Sequence, residues 1–235
     1  MAIFECRQLT KRYGSTTALD HIDLSLEPGR IVGLLGPNGS GKTTLIKLAA
    51  RLLTPSSGQI LIDGEVPGPE TKAMISYLPD REFLPGYMKV KEIVNMYSDF
   101  FGDFRRDKAE DMLAELGIDP GKRFKNLIKG NREKVQPMMV MSREAEVYFL
   151  DEPIAGVDPA ARDYILHVII SNYNENAAVV ISTHLIEDVE NILDEVVFIR
   201  NGRIVLHDNA DDLRAERGKS IDKIFREDFK WQADL

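Results

Sequence analysis

Residues 36–43 read GPNGSGKT, which matches the pattern G-x-x-x-x-G-K-[ST] of loops that bind phosphate groups. Glycines in such a loop let the backbone wrap closely around an anion, with N–H groups directed at the β-phosphate. Lys42 would bring a positive charge to the β- and γ-phosphates, and the Thr43 hydroxyl would coordinate Mg²⁺. The predicted nucleotide-binding residues of this loop are Gly36, Asn38, Gly39, Ser40, Gly41, Lys42, Thr43 and Thr44.

A second set of candidate residues follows the apolar run VYFL at 147–150. Asp151 and Glu152 come directly after this run, where a neighbouring strand of the same sheet would end. In combination with a phosphate loop, Asp151 is predicted to hold Mg²⁺ through water, and Glu152 to act as general base for the attacking water. The Asn-Lys-x-Asp pattern that reads guanine is absent from the sequence. This absence favours ATP over GTP as the substrate.

The hydrophobic pattern indicates the elements that must position these residues. The run IVGLL at 31–35 predicts a buried strand before the loop, and KTTLIKLAARLL after it has helical spacing. The first thirty residues alternate in polarity, which predicts a small antiparallel sheet. Beyond residue 138, apolar runs alternate with helical patterns, as in a parallel sheet covered by helices.

The segment 81–138 differs from its surroundings because its pattern is helical. Apolar side chains recur there with the spacing i, i+3, i+4 and i+7, at Ala109, Met112, Leu113 and Leu116. We therefore predict a single α/β domain over residues 1–235. Residues 1–80 and 139–235 would form the core with its antiparallel β-subdomain, and residues 81–138 an inserted α-helical subdomain.

Composition and charge exclude several classes of protein. The chain carries a net charge of −8, with 38 acidic against 30 basic residues, and this argues against a duplex nucleic acid partner. Its longest apolar runs fall far below the roughly 18 residues that suggest a membrane span. No secretory signal is visible at the N-terminus. A single cysteine, Cys6, excludes an internal disulfide and is typical of a reducing compartment, so we expect a cytosolic protein.

The order of the motifs resembles that of the ATP-binding cassette (ABC) family over essentially the whole chain. Besides GPNGSGKTT and VYFLDEP, the matching segments are KRYGSTTAL, IAGVDP and ISTH. The resemblance implies a RecA-like P-loop ATPase core in which Tyr13 stacks on adenine and Asp158 belongs to the loop after the second carboxylate. It also implies that His184 contacts the γ-phosphate, which adds His184 to Lys42 and Glu152 as candidate catalytic residues.

The segment NLIKGNREK at 126–134 stands where this family has a signature, usually L-S-G-G-Q. Leu127, Gly130 and Asn131 align with its first, fourth and fifth positions, as in bacterial drug-export and bacitracin-type cassettes. By resemblance, Lys129, Gly130 and Asn131 would grip the γ-phosphate of ATP bound to another subunit. A glycine at a helix start also allows close approach of an anion, and Lys129 adds charge. The alternative interpretation is an ordinary charged helix start.

Three positions complicate the resemblance. Ile128 replaces the signature serine and cannot donate a hydrogen bond to phosphate, a loss of about 1.5–3 kcal/mol. Asp80 replaces the usual glutamine that ligates Mg²⁺ and communicates with the membrane partner, although a carboxylate can also ligate Mg²⁺. Pro137 is predicted to kink the helix after the signature. These departures motivate the hypothesis of a heterodimer with a different cassette, with a homodimer of two slow sites as the alternative.

The resemblance implies a Mg²⁺-dependent ATPase whose ATP-driven dimerisation moves a membrane permease on another chain, with export as the direction. It implies Mg²⁺ ligands at Thr43, Asp80 and Asp151, and a location on the inner face of the cell membrane. Two alternatives remain open. One is a soluble cassette ATPase that is not coupled to transport, and the other is a nucleotide-binding regulatory cassette with weak hydrolysis.

Overall fold

The alternating segments near the N-terminus form a three-stranded antiparallel sheet. The computed structural model describes residues 2–230, and its first two strands are β1 (Phe4–Tyr13) and β2 (Thr16–Leu26). β4 (Ser57–Ile62) pairs with the other edge of β1, so that the strand order is β2-β1-β4. Phe4 lies opposite both Leu26 and Ile62, and all three side chains are buried. The predicted antiparallel subdomain is therefore present.

The continuous apolar runs form the second sheet, whose order is β5-β6-β7-β3-β8-β9. The first five strands of this order run parallel, and the last strand pairs antiparallel with its neighbour. The strands are β3 (Arg30–Leu35), β5 (Ile75–Leu78), β6 (Val147–Asp151), β7 (Ala178–Thr183), β8 (Glu195–Arg200) and β9 (Arg203–Asn209). Strands buried on both faces read as uninterrupted apolar runs, which explains the sequence pattern. The predicted α/β fold class is confirmed.

Helices surround this sheet and fill the segment between β5 and β6. Two short 3-10 helices, Phe124–Asn126 and Glu190–Ile192, accompany them. The α-helices are α1 (Lys42–Ala49), α2 (Pro69–Met74), α3 (Val90–Phe100), α4 (Arg106–Glu115), α5 (Lys129–Met141), α6 (Pro159–Asn172), α7 (Ile186–Val189), α8 (Ala210–Arg217) and α9 (Ile221–Lys230). Pro137 lies inside α5, which continues through it to Met141. The boundaries of the helical subdomain stay a prediction.

Two apolar cores lie on the two faces of the parallel sheet. Because successive strand residues face opposite sides, Phe149 packs toward the antiparallel sheet and α1, while Tyr148 and Leu150 pack toward the helices that follow β5. Cys6 is buried in the first core, and burial raises the pKa of its thiol. The sheet is therefore held on both faces, which fixes the positions of its strand ends.

A buried arginine joins the helical segment to the sheet. Arg143 follows α5, and its guanidinium donates to the Asp103 carboxylate at 2.9–3.2 Å and to the carbonyl oxygens of Ala73 and Ile75. The guanidinium also lies over the ring of Phe101, 4.1 Å from its centroid. The planar fork of arginine can satisfy all these partners at once, which a lysine cannot do.

None of the helices in residues 2–230 combines the length and the apolar character that crossing a membrane requires.

Arg143→Met should lower the free energy of unfolding by about 3 kcal/mol, because it leaves the Asp103 carboxylate and two carbonyl groups without their donor. Urea unfolding followed by circular dichroism measures this loss. The matched control is Arg105→Met, which removes an exposed guanidinium that pairs with Asp107 and Glu144. That change should cost less than about 1 kcal/mol, and equal losses in the two variants would contradict the structural role of Arg143.

Candidate active site

The phosphate loop joins the end of β3 to the start of α1 and has no space for a side chain at two of its glycines. A Cβ on Gly36 would lie 2.4 Å from the carbonyl oxygen of Ile199. Gly41 stands immediately before α1 with φ +113, and a Cβ there would lie 2.7 Å from the carbonyl oxygen of Ala18. Glycine is therefore required at both positions for steric reasons. The backbone of the loop leads directly into the positive end of α1.

The side chain of Lys42 is buried and held inside the loop. Its ammonium group donates to the carbonyl oxygens of Gly36 at 2.8 Å and Pro37 at 3.2 Å, and it lies 3.5 Å from a carboxylate oxygen of Glu152. Burial lowers the pKa of Lys42, while the Glu152 carboxylate opposes this shift. The ammonium group of Lys42 is thus held inside the loop by two loop carbonyls and one carboxylate.

Asp151 lies at the buried end of β6, next to the first turn of α1. Its Oδ1 accepts hydrogen bonds from the hydroxyls of Ser182, at 2.5 Å, and Thr43, at 3.0 Å. Its Oδ2 is buried and has no hydrogen-bond partner among the described residues. Burial raises the pKa of Asp151, and the hydroxyls of Ser182 and Thr43 oppose this shift.

The residues around Asp151 suit a hydrated Mg²⁺ ion. An unpaired carboxylate oxygen beside a hydroxyl group supplies the hard oxygen donors that Mg²⁺ prefers. No group of three or more His, Cys, Asp or Glu side chains that could hold a metal ion occurs in residues 2–230. A Mg²⁺ ion here would therefore complete its shell with water and with the phosphates of a nucleotide, using Thr43 and Asp151 from the protein.

Glu152 and His184 meet at the ends of β6 and β7. The Glu152 Oε2 atom lies 2.9 Å from His184 Nδ1 and 3.3 Å from the hydroxyl of Thr183. Glu152 has a φ of +50, which is uncommon for a residue with a side chain. The backbone N–H of Glu152 donates to the Ser182 carbonyl at 2.9 Å and so holds this conformation. Glu152 thus contacts each of the other two candidate catalytic residues, Lys42 and His184.

A surface cavity of about 220 Å³ collects most of the predicted nucleotide-binding residues. Among the described residues it is lined by Ala18, Asn38, Gly39, Ser40, Gly41, Lys42, Thr43, Thr44, Asp80 and Glu152. Asp80, which follows β5, is therefore brought to the phosphate loop. Ala18, on β2, was not predicted as a site residue, although it lies in the matching segment KRYGSTTAL.

Tyr13 lies at the end of β1 and does not line this cavity. Its side chain is partly exposed, and the ammonium group of Lys11 lies 5.1 Å from its ring centroid. Stacking on adenine remains a prediction for this residue.

The signature segment lies at the N-terminus of α5, outside the cavity of the phosphate loop. Ile128 caps this helix with φ −62 and ψ 153, but its side chain makes no capping hydrogen bond and is 72% exposed. Lys129 pairs with Glu133 at 3.4 Å and donates to the carbonyl of Gly156 at 3.3 Å. The ammonium group of Lys129 is thus held by partners in its own chain.

Gly130, the glycine of this segment, lies beside Asp158. A Cβ on Gly130 would be 3.5 Å from a carboxylate oxygen of Asp158. Asp158 in turn caps α6 by accepting from the N–H of Ala161 at 3.0 Å. A second cavity of about 240 Å³ separates the start of α5 from the strand ends and is bordered by Lys129, Asp80 and Glu152, among others. The predicted residues Lys129, Gly130 and Asn131 are therefore not brought to the phosphate loop of their own chain.

Ser182 is a functional residue that the sequence analysis missed. It donates to Asp151 and accepts from the N–H of Glu152 with its carbonyl oxygen, so it positions both carboxylates. The available signal was a polar residue at the end of the apolar run AAVVI, one position before Thr183 and two before His184.

Asp151→Asn should raise the thermal stability of the ligand-free protein at pH 7 and lower Mg²⁺-dependent nucleotide hydrolysis by about 10–100-fold. Because the pKa of Asp151 is raised in the folded state, the ionised carboxylate lowers stability as the pH rises through that pKa. Asparagine removes this cost and keeps an oxygen acceptor for Thr43 and Ser182. Calorimetry at several pH values measures the change in stability, and a hydrolysis assay measures the change in rate. Unchanged hydrolysis would contradict the role of Asp151 in holding Mg²⁺.

Comparisons with known proteins agree on one family. A family model described as ABC transporter matches residues 19–155. The chain is similar to the probable multidrug ABC transporter ATP-binding protein YbhF of Escherichia coli (strain K12), with 30% identity over 224 residues. It is also similar to the daunorubicin resistance ATP-binding protein DrrA3 of Streptomyces coeruleorubidus, with 31% identity over 226 residues. These matches cover 91% and 92% of this chain, but 38% of YbhF and 72% of DrrA3.

Solved structures that resemble this chain are also described as parts of ABC transporters. A structure described as the ATP binding subunit of an ABC transporter superposes with a TM-score of 0.86 at 27% identity, covering 96% of this chain and 98% of that one. CbiO1 from Clostridium perfringens, described as part of the ABC transporter complex cbiONQ, superposes with a TM-score of 0.76 at 27% identity. That superposition covers 92% of each chain.

Proposed function

The chain belongs to the ABC transporter family as an ATP-binding cassette, and we propose that it hydrolyses Mg²⁺-ATP to drive a membrane permease carried on another chain. The observation that carries this proposal is the meeting of the phosphate loop with the ends of β6 and β7. There, Thr43 contacts Asp151 at 3.0 Å, and Glu152 lies within 3.5 Å of both Lys42 and His184.

Binding of the triphosphate follows from the loop itself. The glycine-lined turn and the N-terminus of α1 offer backbone N–H groups to the phosphate oxygens. Lys42 is buried and turned inward, so its charge acts on the phosphates with little screening by water. Tyr13 would bind the adenine by stacking, which is an interaction that tolerates any flat base.

Hydrolysis would use Glu152 as the general base. Its carboxylate would accept a proton from the water that attacks the γ-phosphate, while His184 holds the carboxylate through the 2.9 Å contact with Nδ1. Glu152 also lies 3.5 Å from the ammonium group of Lys42. Phosphate groups entering the loop would compete for Lys42 and release Glu152 for its role as base.

Mg²⁺ would be held by Thr43 and, through water, by the unpaired oxygen of Asp151, with Asp80 as a further ligand. When bound, it would offset the negative charge of the β- and γ-phosphates. Asp80 lines both the loop cavity and the cavity beside α5. It is therefore well placed to connect the nucleotide site with the helical segment, which we propose as the contact region of the permease.

A second cassette would complete the site. Lys129, Gly130 and Asn131 do not line the loop cavity of their own chain, so we propose that they bind the γ-phosphate of ATP held by a partner. ATP would then join two cassettes and ADP would let them separate. The relatives named for multidrug and daunorubicin resistance support export as the direction. The site of action would be the inner face of the cell membrane.

Glu152→Gln should retain ATP binding and lose about 10²-fold or more of the hydrolysis rate, because it removes the proton acceptor. The measurement is Mg²⁺-ATP hydrolysis by the purified chain over a series of protein concentrations. A rate per chain that rises with concentration would support a site completed by two chains. The control is Glu216→Gln on the exposed face of α8, and equal rates for the two variants would exclude Glu152 as the base.

Ile128→Ser should raise hydrolysis about tenfold or more by restoring a hydroxyl for the γ-phosphate. The backbone of residue 128 already has a capping conformation, so serine should also stabilise α5 by about 1 kcal/mol. Ile128→Ala is the control, since it shortens the side chain without adding a hydroxyl. Unchanged hydrolysis in the serine variant would refute the hypothesis that Ile128 weakens the site.

A regulatory cassette with weak hydrolysis is a second candidate, favoured by the missing hydroxyl at Ile128. The heterodimer hypothesis accounts for the same residue, because the phosphate loop of this chain would then meet an intact signature on a different cassette. ATP binding without turnover by the purified chain, followed by turnover on addition of a second cassette, would favour the heterodimer. Binding without turnover in both cases would favour the regulatory role.

A further inference from the structure

The turn between β8 and β9 contacts the phosphate loop, although about 160 residues separate the two segments in sequence. Asn201 and Gly202 form this turn with φ values of +48 and +75, which are typical of a tight two-residue hairpin turn. The N–H of Gly202 donates to the carbonyl oxygen of Ser40 at 2.9 Å. The carbonyl oxygen of Gly202 accepts from the N–H of Asp20 at 2.8 Å. One glycine thus links the loop to β2.

This contact determines how one peptide group of the loop is oriented. The peptide between Ser40 and Gly41 is planar and trans, so its C=O and N–H point in opposite directions. Because the Ser40 carbonyl is directed at the turn, the Gly41 N–H is directed away from the turn, and Gly41 itself lines the cavity of the phosphate loop. An N–H in this position is a donor for an anionic phosphate oxygen.

The contact leaves no space for a side chain. A Cβ on Gly202 would lie 2.6 Å from the carbonyl oxygen of Ala18 and 3.0 Å from the Cα of Leu19. The same Ala18 oxygen would be 2.7 Å from a Cβ on Gly41. A larger residue at position 202 must therefore displace the turn or β2. Displacement of the turn would weaken the hydrogen bond to Ser40, and displacement of β2 would weaken the one to Asp20.

A surface ion pair holds the turn on its other side. The Arg203 guanidinium donates to the Asp20 carboxylate from Nε at 2.7 Å and from a terminal nitrogen at 2.5 Å. Asp20 also donates its backbone N–H to Gly202, and Arg203 is the residue that follows Gly202. The pair therefore restrains the separation of the turn from β2.

We propose that the Asn201-Gly202 turn is a positioning element for nucleotide binding. It fixes the Ser40 carbonyl so that the Gly41 N–H faces the β-phosphate of a nucleoside di- or triphosphate. This inference deepens the proposed function and rests on it. Gly202 acts through the loop and does not touch the nucleotide.

The test compares Gly202→Ala with Gly218→Ala in the full chain. Gly218 ends α8 with φ +62 and open space around it, so alanine there brings the same kind of backbone strain without a clash at the phosphate loop. Binding of Mg²⁺-ADP is measured by titration calorimetry, and KM and kcat by ATP hydrolysis. The Gly41 amide resonance is followed by NMR on adding Mg²⁺-ADP.

Gly202→Ala should weaken ADP binding and raise KM about tenfold, with kcat at saturation changed less than about twofold, and with a smaller shift of the Gly41 amide on binding. Gly218→Ala should bind as the wild type does. Equal ADP affinity in Gly202→Ala and wild type would overturn the inference, as would equal weakening in both variants. A wild-type chain that binds no nucleotide would instead refute the proposed function.

If Gly202→Ala does not fold, Arg203→Gln tests the positioning role of the turn without adding a side chain at position 202. It should weaken Mg²⁺-ADP binding about two- to fivefold, because the turn is then held by the backbone contacts alone. The control is Arg106→Gln, which removes a similarly exposed ion pair with Glu110 on α4. Unchanged affinity in Arg203→Gln would overturn the proposed role of the turn.

Discussion

The burial of the Asp151 carboxylate is the constraint on which the site depends. A charged group taken out of water is costly unless donors surround it, and here two hydroxyls serve one oxygen while the other stays unpaired. Those hydroxyls come from Thr43 and Ser182, so a single carboxylate connects the first turn of α1 with the ends of β6 and β7. The other carboxylate oxygen, Oδ2, is the atom through which we propose that Asp151 holds Mg²⁺ by way of water.

Parallel strands make this convergence possible. The carboxyl ends of β3, β6 and β7 lie at one edge of the sheet, because Leu35 is level with Thr183 and Asp151 with Ser182. Two apolar cores hold the sheet from both faces and leave little freedom for its strand ends to move. The phosphate loop, Glu152 and His184 are therefore positioned by apolar packing in which their own side chains take no part.

The start of α5 differs from the strand ends, because Ile128 and Lys129 are exposed there rather than packed. A helix that begins with an exposed isoleucine forgoes a capping hydrogen bond, and nothing in the described chain covers that side chain. Lys129 is meanwhile tied to Glu133 and to Gly156. Helix α5 is stabilised by its buried C-terminal half, including Met138, Met139 and Met141. Its first turn is thus free to serve binding to a partner, which is the role we propose for it.

A nucleotide-binding site and the class of the fold could both be predicted from local sequence patterns, and the fold class is confirmed. Phosphate binding depends on residues that are neighbours along the chain, such as Gly41, Lys42 and Thr43, so their spacing could be read directly. The apolar runs around them identified the strands because burial on both faces demands such runs. The resemblance to ABC cassettes rested on the same local motifs, and the comparisons confirm it.

The way in which distant segments support the phosphate loop became visible only in the packed fold. The contacts of Ala18 with Gly41, of Ser182 with Asp151 and of Gly202 with Ser40 join segments far apart in sequence. The backbone contacts through Ala18 and Gly202 leave no local pattern, because any residue can offer a backbone carbonyl and glycine is common in turns. Ser182 left only a weak pattern, a polar residue at the end of an apolar run. These contacts form because the strand order brings the segments together and because, at Gly41 and Gly202, two backbones approach so closely that no side chain fits between them. Both conditions arise when the sheet packs, so no single segment shows them.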